Sequence, residues 1–200
     1  LICDSSYNLG KRTHNGLSEY GREVVKEMNR VGVMVDISHV SDDAFYQVMD
    51  VTQGPAIASH SSCRHFTPDW ERNMDDDMIK RLAENGGVVQ INFASYFVDQ
   101  ASKDTTAPID ADVAKYIKDN NLDPTDYASY DKYRREQYDK RFLYVSSEKV
   151  ADHIDHVVKL VGIDHVGFGS EFAGVGYTLP TDLKGPEGFP MVIFHLLKRG

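Results

Sequence analysis

Four short apolar runs in this chain end on polar side chains that could act together. The first ends Asp36-Ile37-Ser38-His39, the second Ser59-His60-Ser61-Ser62, the third Gln90-Ile91-Asn92 and the fourth Gly169-Ser170-Glu171. His39 and His60 therefore hold equivalent places on two successive runs. Imidazole suits Zn²⁺ and related divalent ions. Neighbouring strands of a parallel sheet lie about 4.8 Å apart, so side chains at adjacent ends can share one ion. A single strand-end histidine is more often a hydrogen-bonded core residue than a ligand. Two at matching ends, with a carboxylate at a third, point instead to a metal site. The set falls short of a catalytic zinc site, which takes three protein ligands and a water, and a Glu171 engaged elsewhere leaves only two. Arg72, in the long loop beyond the second run, is a cation placed to meet an anionic substrate group. A solvated surface arginine is the competing reading.

The elements that must position these residues alternate. Leu17 to Arg30 carries Val24, Val25 and Met28 at helical spacing, with Ser18 as cap and Gly32 at the C-terminal end. Val33 to Ile37 reads as a buried strand, nearly continuous in apolar residues. Ser41 caps a helix over 42–51, and Pro55 to Ser59 is a second strand. A helix from about Asp75 stops at Asn85-Gly86, and Gly87 to Asn92 is a third strand. Glu148 to Val161 is a helix, His165 to Gly169 a fourth strand, and Pro190 to Lys198 a final helix. Short apolar strands alternating with amphipathic helices imply an α/β fold with a parallel sheet, where reactive groups gather at the C-terminal ends of the strands. The polar, Tyr-rich stretch at about 98–146 interrupts the alternation. It reads as a helical insertion, with one helix near Tyr127 to Arg141, because its apolar residues are few.

Lys and Arg number 22 against 31 Asp and Glu, a net charge of −9, and no basic cluster suggests nucleic acid as a partner. No run approaches the roughly 18 apolar residues of a membrane helix. Cys3 and Cys63 make no disulfide framework, which leaves the compartment open. The chain begins Leu1-Ile2-Cys3 without an initiator methionine and reads as lacking its native N-terminus. His153 and His156 lie three apart on a helix expected to pack outside the sheet, and structural or surface roles outweigh metal binding for them. His65 follows His60 in a loop that could approach the site. The Asp75-Asp76-Asp77 run reads as charge at a helix N-terminus.

Several ordered motifs now combine. Gly16 to Arg30, Val35-Asp-Ile-Ser-His-Val-Ser-Asp42, Ala58-Ser-His-Ser-Ser62, Arg72-Asn73, Asn85-Gly-Gly-Val-Val89, Val150-Ala-Asp-His-Ile-Asp-His156 and Gly162-Ile-Asp-His-Val-Gly-Phe-Gly169 resemble the renal (membrane) dipeptidase family of zinc peptidases. The resemblance covers nearly all of the chain outside the insertion. It implies a (β/α)₈ barrel with two zinc ions, of which this chain would be the C-terminal part, roughly the last four strands. It also implies a zinc-dependent dipeptidase that hydrolyses dipeptides through a metal-activated water. His39 and His60 fall on histidines that bind one zinc in that family. Arg72 falls on the arginine that holds the substrate carboxylate, and Glu171 on an aspartate that takes part in catalysis and in binding the substrate amine. A homodimer remains open as the assembly.

The chain departs from that pattern. The family usually reads Asp-Phe-Asp-Gly where this chain has Glu171-Phe-Ala-Gly174, so one carboxylate is moved by a methylene and a second is lost at Ala173. Misplacement by about 1 Å can cost on the order of 10²-fold in rate. The family's His-x-Asp motif and bridging glutamate belong to earlier strands that this chain does not contain. Two other readings therefore stay open: a non-catalytic or degenerate barrel protein descended from the family, and a barrel amidohydrolase acting on another small amide.

Overall fold

The computed structural model describes residues 2–7 and 10–200. The first three α-helices each begin where a side chain accepts an otherwise unpaired backbone N–H. Helix α1 (Glu19–Val31) starts at Ser18, whose Oγ accepts from Gly21 N at 2.9 Å, and ends at Gly32 with φ 77°, a left-handed conformation that suits glycine. Helix α2 (Asp42–Val51) is capped by Ser41. It leads into strand β1 (Ile57–Ser61). Helix α3 (Asp76–Glu84) is capped by Asp75, which accepts from Met78 N at 2.8 Å, and precedes strand β2 (Val88–Ile91).

Next come four helices of the Tyr-rich stretch: α4 (Ser95–Val98), α5 (Gln100–Asp104), α6 (Thr106–Asp119) and α7 (Tyr127–Arg141). Helix α8 (Ser147–Val161), strand β3 (Val166–Phe168) and helix α9 (Phe189–Leu197) complete the order.

The strands form one parallel sheet in the order β1-β2-β3, so each strand pairs with the next in sequence. The connections carry helices α3 and α8, which pack on the sheet. Phe45 and Val48 of α2, Ile79 and Leu82 of α3, Val150 and Val157 of α8, and Val89 and Ile91 of β2 are buried together as the core. Each such side chain taken fully out of water contributes about 1.5–3 kcal/mol. The close meeting of strand ends requires Gly169: a Cβ there would lie 2.5 Å from the Gln90 carbonyl oxygen and 2.7 Å from that of Ser59. The mixed α/β class and parallel sheet expected from the alternation are present.

Val33 to Ile37 differs from its expectation. It joins the sheet through one parallel bridge, Asp36 to Ile57, with Ile37 N donating to Ile57 O and Ile57 N to Val35 O. Val35 and Ile37 are buried, but Val33 and Met34 are half exposed. Among the described residues nothing pairs with the outer side of this segment. An edge that is unsupported on one side keeps the pairing but not the burial of a central strand.

The Tyr-rich stretch has an apolar cluster of its own, in which aromatic rings supply most of the area. Ile109, Val113, Tyr130, Tyr138 and Phe142 are buried there, and Tyr116 stacks on Tyr133 with centroids 3.9 Å apart. Counting aliphatic residues overlooks that contribution, because tyrosine buries a large ring while keeping a polar tip. Tyr138 uses its tip to donate to Asp110 at 3.0 Å, and Tyr177 uses its own on Asp131.

His153 is fully buried and structural. Its Nδ1 accepts from Cys63 N at 3.0 Å and its Nε2–H donates to Val98 O at 3.1 Å. Both ring positions are filled by the neutral imidazole, and burial pushes its pKa down to about 3.

Candidate active site

The backbone carries His39 and His60 to the same rim of the sheet. His60 is the fourth residue of β1. His39 follows the Asp36 bridge on a left-handed turn (φ 73°), and its carbonyl is held by Ser6 N at 3.0 Å. A positive φ outside glycine is uncommon and marks a position that the surroundings enforce. The two Nε2 atoms come within 2.8 Å of each other. Burial, then the charges of Arg72 and His60, push the His39 pKa down to about 4, so its ring is neutral near pH 7.

A three-residue chain sets the tautomer of His60. Asp36 Oδ2 accepts from Ser59 Oγ at 2.5 Å, and Ser59 Oγ lies 2.7 Å from His60 Nδ1. Burial raises the Asp36 pKa, but hydrogen bonds from Ser59 and Ser38 outweigh it and hold the carboxyl below its ordinary value. An ionised carboxylate cannot donate, so the Ser59 proton goes to Asp36. His60 Nδ1 must then be the donor to Ser59, which leaves the Nε2 lone pair facing His39. Supports of this kind typically contribute 10–100-fold to metal affinity. Asp36→Asn is therefore expected to weaken divalent-metal binding at the His39–His60 pair about 10- to 100-fold, read by competition with a chelating dye. Unchanged affinity would rule out this chain as the support of His60.

Arg72 is 2% exposed, which removes the solvated-arginine reading. Its Nη1 donates to Ser61 Oγ at 2.8 Å and its Nη2 to the His60 carbonyl at 2.7 Å, while Nη2 also lies 3.3 Å from His39 Nε2. The guanidinium sits 5.0 Å above the Phe97 ring. Burial lowers its pKa, and Tyr7 and Glu171 pull the other way. The Arg72 Nε–H is buried without a hydrogen-bond acceptor. Such a donor costs roughly 1–3 kcal/mol until an acceptor arrives.

Glu171 also adopts a left-handed backbone (φ 55°). Its Oε2 accepts from Asn92 Nδ2 at the end of β2, and its charge reaches Arg72 and Tyr96. Gly174 makes room for it, since a Cβ there would lie 2.3 Å from Glu171 Oε1. The structure thus joins His39, His60 and Arg72 in one contact group and puts Glu171 beside Arg72 on Asn92. Among the described residues, no third His, Cys, Asp or Glu completes the His39–His60 pair. A cavity of about 670 Å³ is lined in part by Tyr7, Trp70, Tyr96, Arg134 and Gly174, and Gly174 packs against Glu171.

Residue types alone did not single out Asp36, Ser59, Tyr7 or Gly174. Asp36 left a usable signal, as the one charge within an otherwise apolar strand pattern.

The family model for membrane dipeptidase, peptidase family M19, matches residues 3–200. The chain belongs to this family. It is 37% identical over 200 residues to dipeptidase verJ of Clonostachys rogersoniana, covering all of this chain and 40% of that protein. It is 36% identical over 184 residues to an uncharacterized dipeptidase, C965.12, of Schizosaccharomyces pombe, covering 92% of this chain and 34% of that protein. The chain thus spans between a third and two fifths of the length of these curated relatives.

Among solved structures, the probable dipeptidase PvdM from Pseudomonas aeruginosa superposes with a TM-score of 0.76 at 27% identity, over 99% of this chain and 54% of that one. A metallo peptidase from Rhodobacter sphaeroides, liganded with a phosphinate mimic of the dipeptide L-Ala-D-Ala, superposes with a TM-score of 0.68 at 28% identity, over 94% of this chain and 42% of that one.

Proposed function

We propose that these 200 residues are the C-terminal part of a (β/α)₈ barrel, and that the complete protein is a zinc-dependent dipeptidase. The M19 membership and the dipeptidases among the relatives support the activity. The sequential parallel order of the strands supports the barrel, since each strand of such a barrel pairs with the next.

The donor set fits a metal. Two imidazole nitrogens converge, and the far nitrogen of His60 is already committed to Ser59. His39 and His60 would hold one zinc ion, and the partner ligands of a two-ion site would come from the upstream strands. When bound, the ions supply Lewis-acid activation of water and of the scissile carbonyl.

The chain's own residues do the rest. Arg72 binds the substrate's C-terminal carboxylate through its Nε–H and an adjoining Nη. Phe97 beneath and Ser61 beside hold the fork in place. Glu171, fixed by Asn92, accepts a proton or the substrate's ammonium group. The cavity next to it takes a substrate side chain, and its size suits a small ligand. The observation that carries this reading is the buried Arg72 Nε–H without an acceptor, immediately beside the His39–His60 pair. A non-catalytic descendant would have no need for the Asp36–Ser59–His60 chain to stay intact.

The test is a substrate panel on the zinc-loaded complete protein: a free dipeptide, its C-terminal amide, a tripeptide, and a cyclic amide. Turnover of the free dipeptide alone is expected. Equal turnover of the amide would remove Arg72 from carboxylate binding, and turnover of the cyclic amide alone would favour an amidohydrolase.

A further inference from the structure

Outside the His39–His60 group, three further metal-ligating side chains meet. We propose that His65, Asp76 and His156 form a separate site for one first-row divalent transition-metal ion, zinc by the chemistry of the donors.

The three residues come from three elements: the short 3₁₀ turn after β1, the first turn of α3, and the middle of α8. One ligand atom from each lies within 4.8 Å of the other two. His156 Nε2 is 2.8 Å from Asp76 Oδ1. The His65 and His156 rings stack with centroids 4.5 Å apart and planes 20° from parallel. Bonds of about 2.0–2.1 Å in a tetrahedral zinc site separate ligand atoms by roughly 3.3 Å. The His156–Asp76 pair need only open slightly to that spacing, and the ring of His65, which is exposed, can turn to meet it.

The surroundings favour a cation. Asp75, Asp76 and Asp77 are consecutive, and their neighbours divide the available positive charge unevenly. Arg64 pairs with Asp42 at 2.6 Å and reaches Asp75 at 3.7 Å, while Lys80 pairs with Asp77 at 3.1 Å. Among the described residues, Asp76 has no lysine or arginine within ion-pair distance, only His156. Phe66 backs the cluster, with centroids 4.9 Å from His65 and 5.6 Å from His156. Its other side packs on the buried His153 at 4.3 Å. His153 is itself fully used by backbone groups and is not available as a ligand. Two imidazoles and a carboxylate select zinc-like ions over magnesium or calcium, which prefer all-oxygen sites.

An ion here would tie the turn after β1 to α3 and α8 across a sequence separation of about 90 residues. It would stabilise the folded protein by mass action, since the unfolded chain brings no such ligands together. None of the three residues is hydrogen-bonded to His39, His60 or Arg72 among the described residues, so loading this site is independent of catalysis and of the proposed dipeptidase reading.

The experiment uses the complete protein, stripped with a chelator and then dialysed against Zn²⁺. Bound zinc and the melting temperature are compared for wild type, His65→Gln, His156→Gln and Asp76→Asn. His65 is exposed, so its replacement leaves the fold intact. Wild type is expected to bind one zinc ion more than His65→Gln or His156→Gln, and the zinc-dependent rise in melting temperature should shrink in each variant. Equal zinc content in wild type and His65→Gln would overturn the proposal, leaving His156 and Asp76 as a plain hydrogen-bonded pair.

Discussion

If the proposed dipeptidase reading holds, replacing Arg72 by lysine in the complete protein is expected to raise KM for a free dipeptide by roughly 10- to 100-fold, with a smaller change in kcat. The estimate follows from the bonds that lysine cannot make. Hydrogen bonds to charged groups contribute about 1.5–3 kcal/mol each, and each 1.4 kcal/mol is about tenfold in affinity. Lysine keeps the charge but presents a point donor, not a planar fork, and it loses the bonds that Arg72 makes to Ser61 and His60. Those two bonds fix the orientation of the fork and leave Nε as the donor without an acceptor. Steady-state kinetics on the dipeptide and on its C-terminal amide separate the outcomes. A KM that rises for the acid but not for the amide identifies Arg72 with the carboxylate. An equal change for both would mean that the substitution has only loosened the rim around His39 and His60.

Much of this rim was legible because its logic is local. Ser18, Ser41 and Gly32 announce helix ends through chemistry that does not depend on the rest of the fold, and each lies where its element begins or stops. His39 and His60 were legible by position: equal places on successive parallel strands must come together, and they do, at 2.8 Å.

What escaped the sequence depends on partners distant in the chain. Val33 and Met34 look like core residues, but burial needs a neighbour on their outer side, and composition cannot supply one. His65 lies in a loop five residues after His60 that could approach the site. The short turn at Arg64–Phe66 swings it away towards α8, and no periodicity encodes that turn. His153 and His156 share a helix yet have separate fates. One is locked between backbone groups and the other faces Asp76. Glu171 looked displaced by its extra methylene. In the structure its carboxylate accepts from Asn92 and fills the space where a Cβ on Gly174 would lie, with a left-handed backbone at Glu171 itself.

Residues 1–200 expressed alone are expected to show no dipeptide turnover. The two proposals, a partial barrel and a shared two-ion site, both lead there. Among the described residues the His39–His60 pair has no third ligand, and two imidazoles fall short of the three protein ligands of a catalytic zinc site. Physical stability points the same way. A closed barrel has no free strand edges, whereas among the described residues nothing pairs with the outer side of the Asp36 segment, and Val33 and Met34 are half exposed beside it. Ile193, Phe194 and Leu197 add exposed apolar surface on α9, and contiguous surface of that kind promotes association. The measurement is made in a His65→Gln, His156→Gln background, so that zinc bound away from His39 and His60 does not count. Zinc stoichiometry and dipeptide hydrolysis are recorded for the isolated chain, then again after the upstream part of the protein is supplied as a second polypeptide. Weak binding of at most one ion, no turnover alone and turnover on complementation are expected. Two tightly held zinc ions with turnover from the isolated chain would mean that its own side chains complete the centre, and the partial-barrel reading would fall with that result.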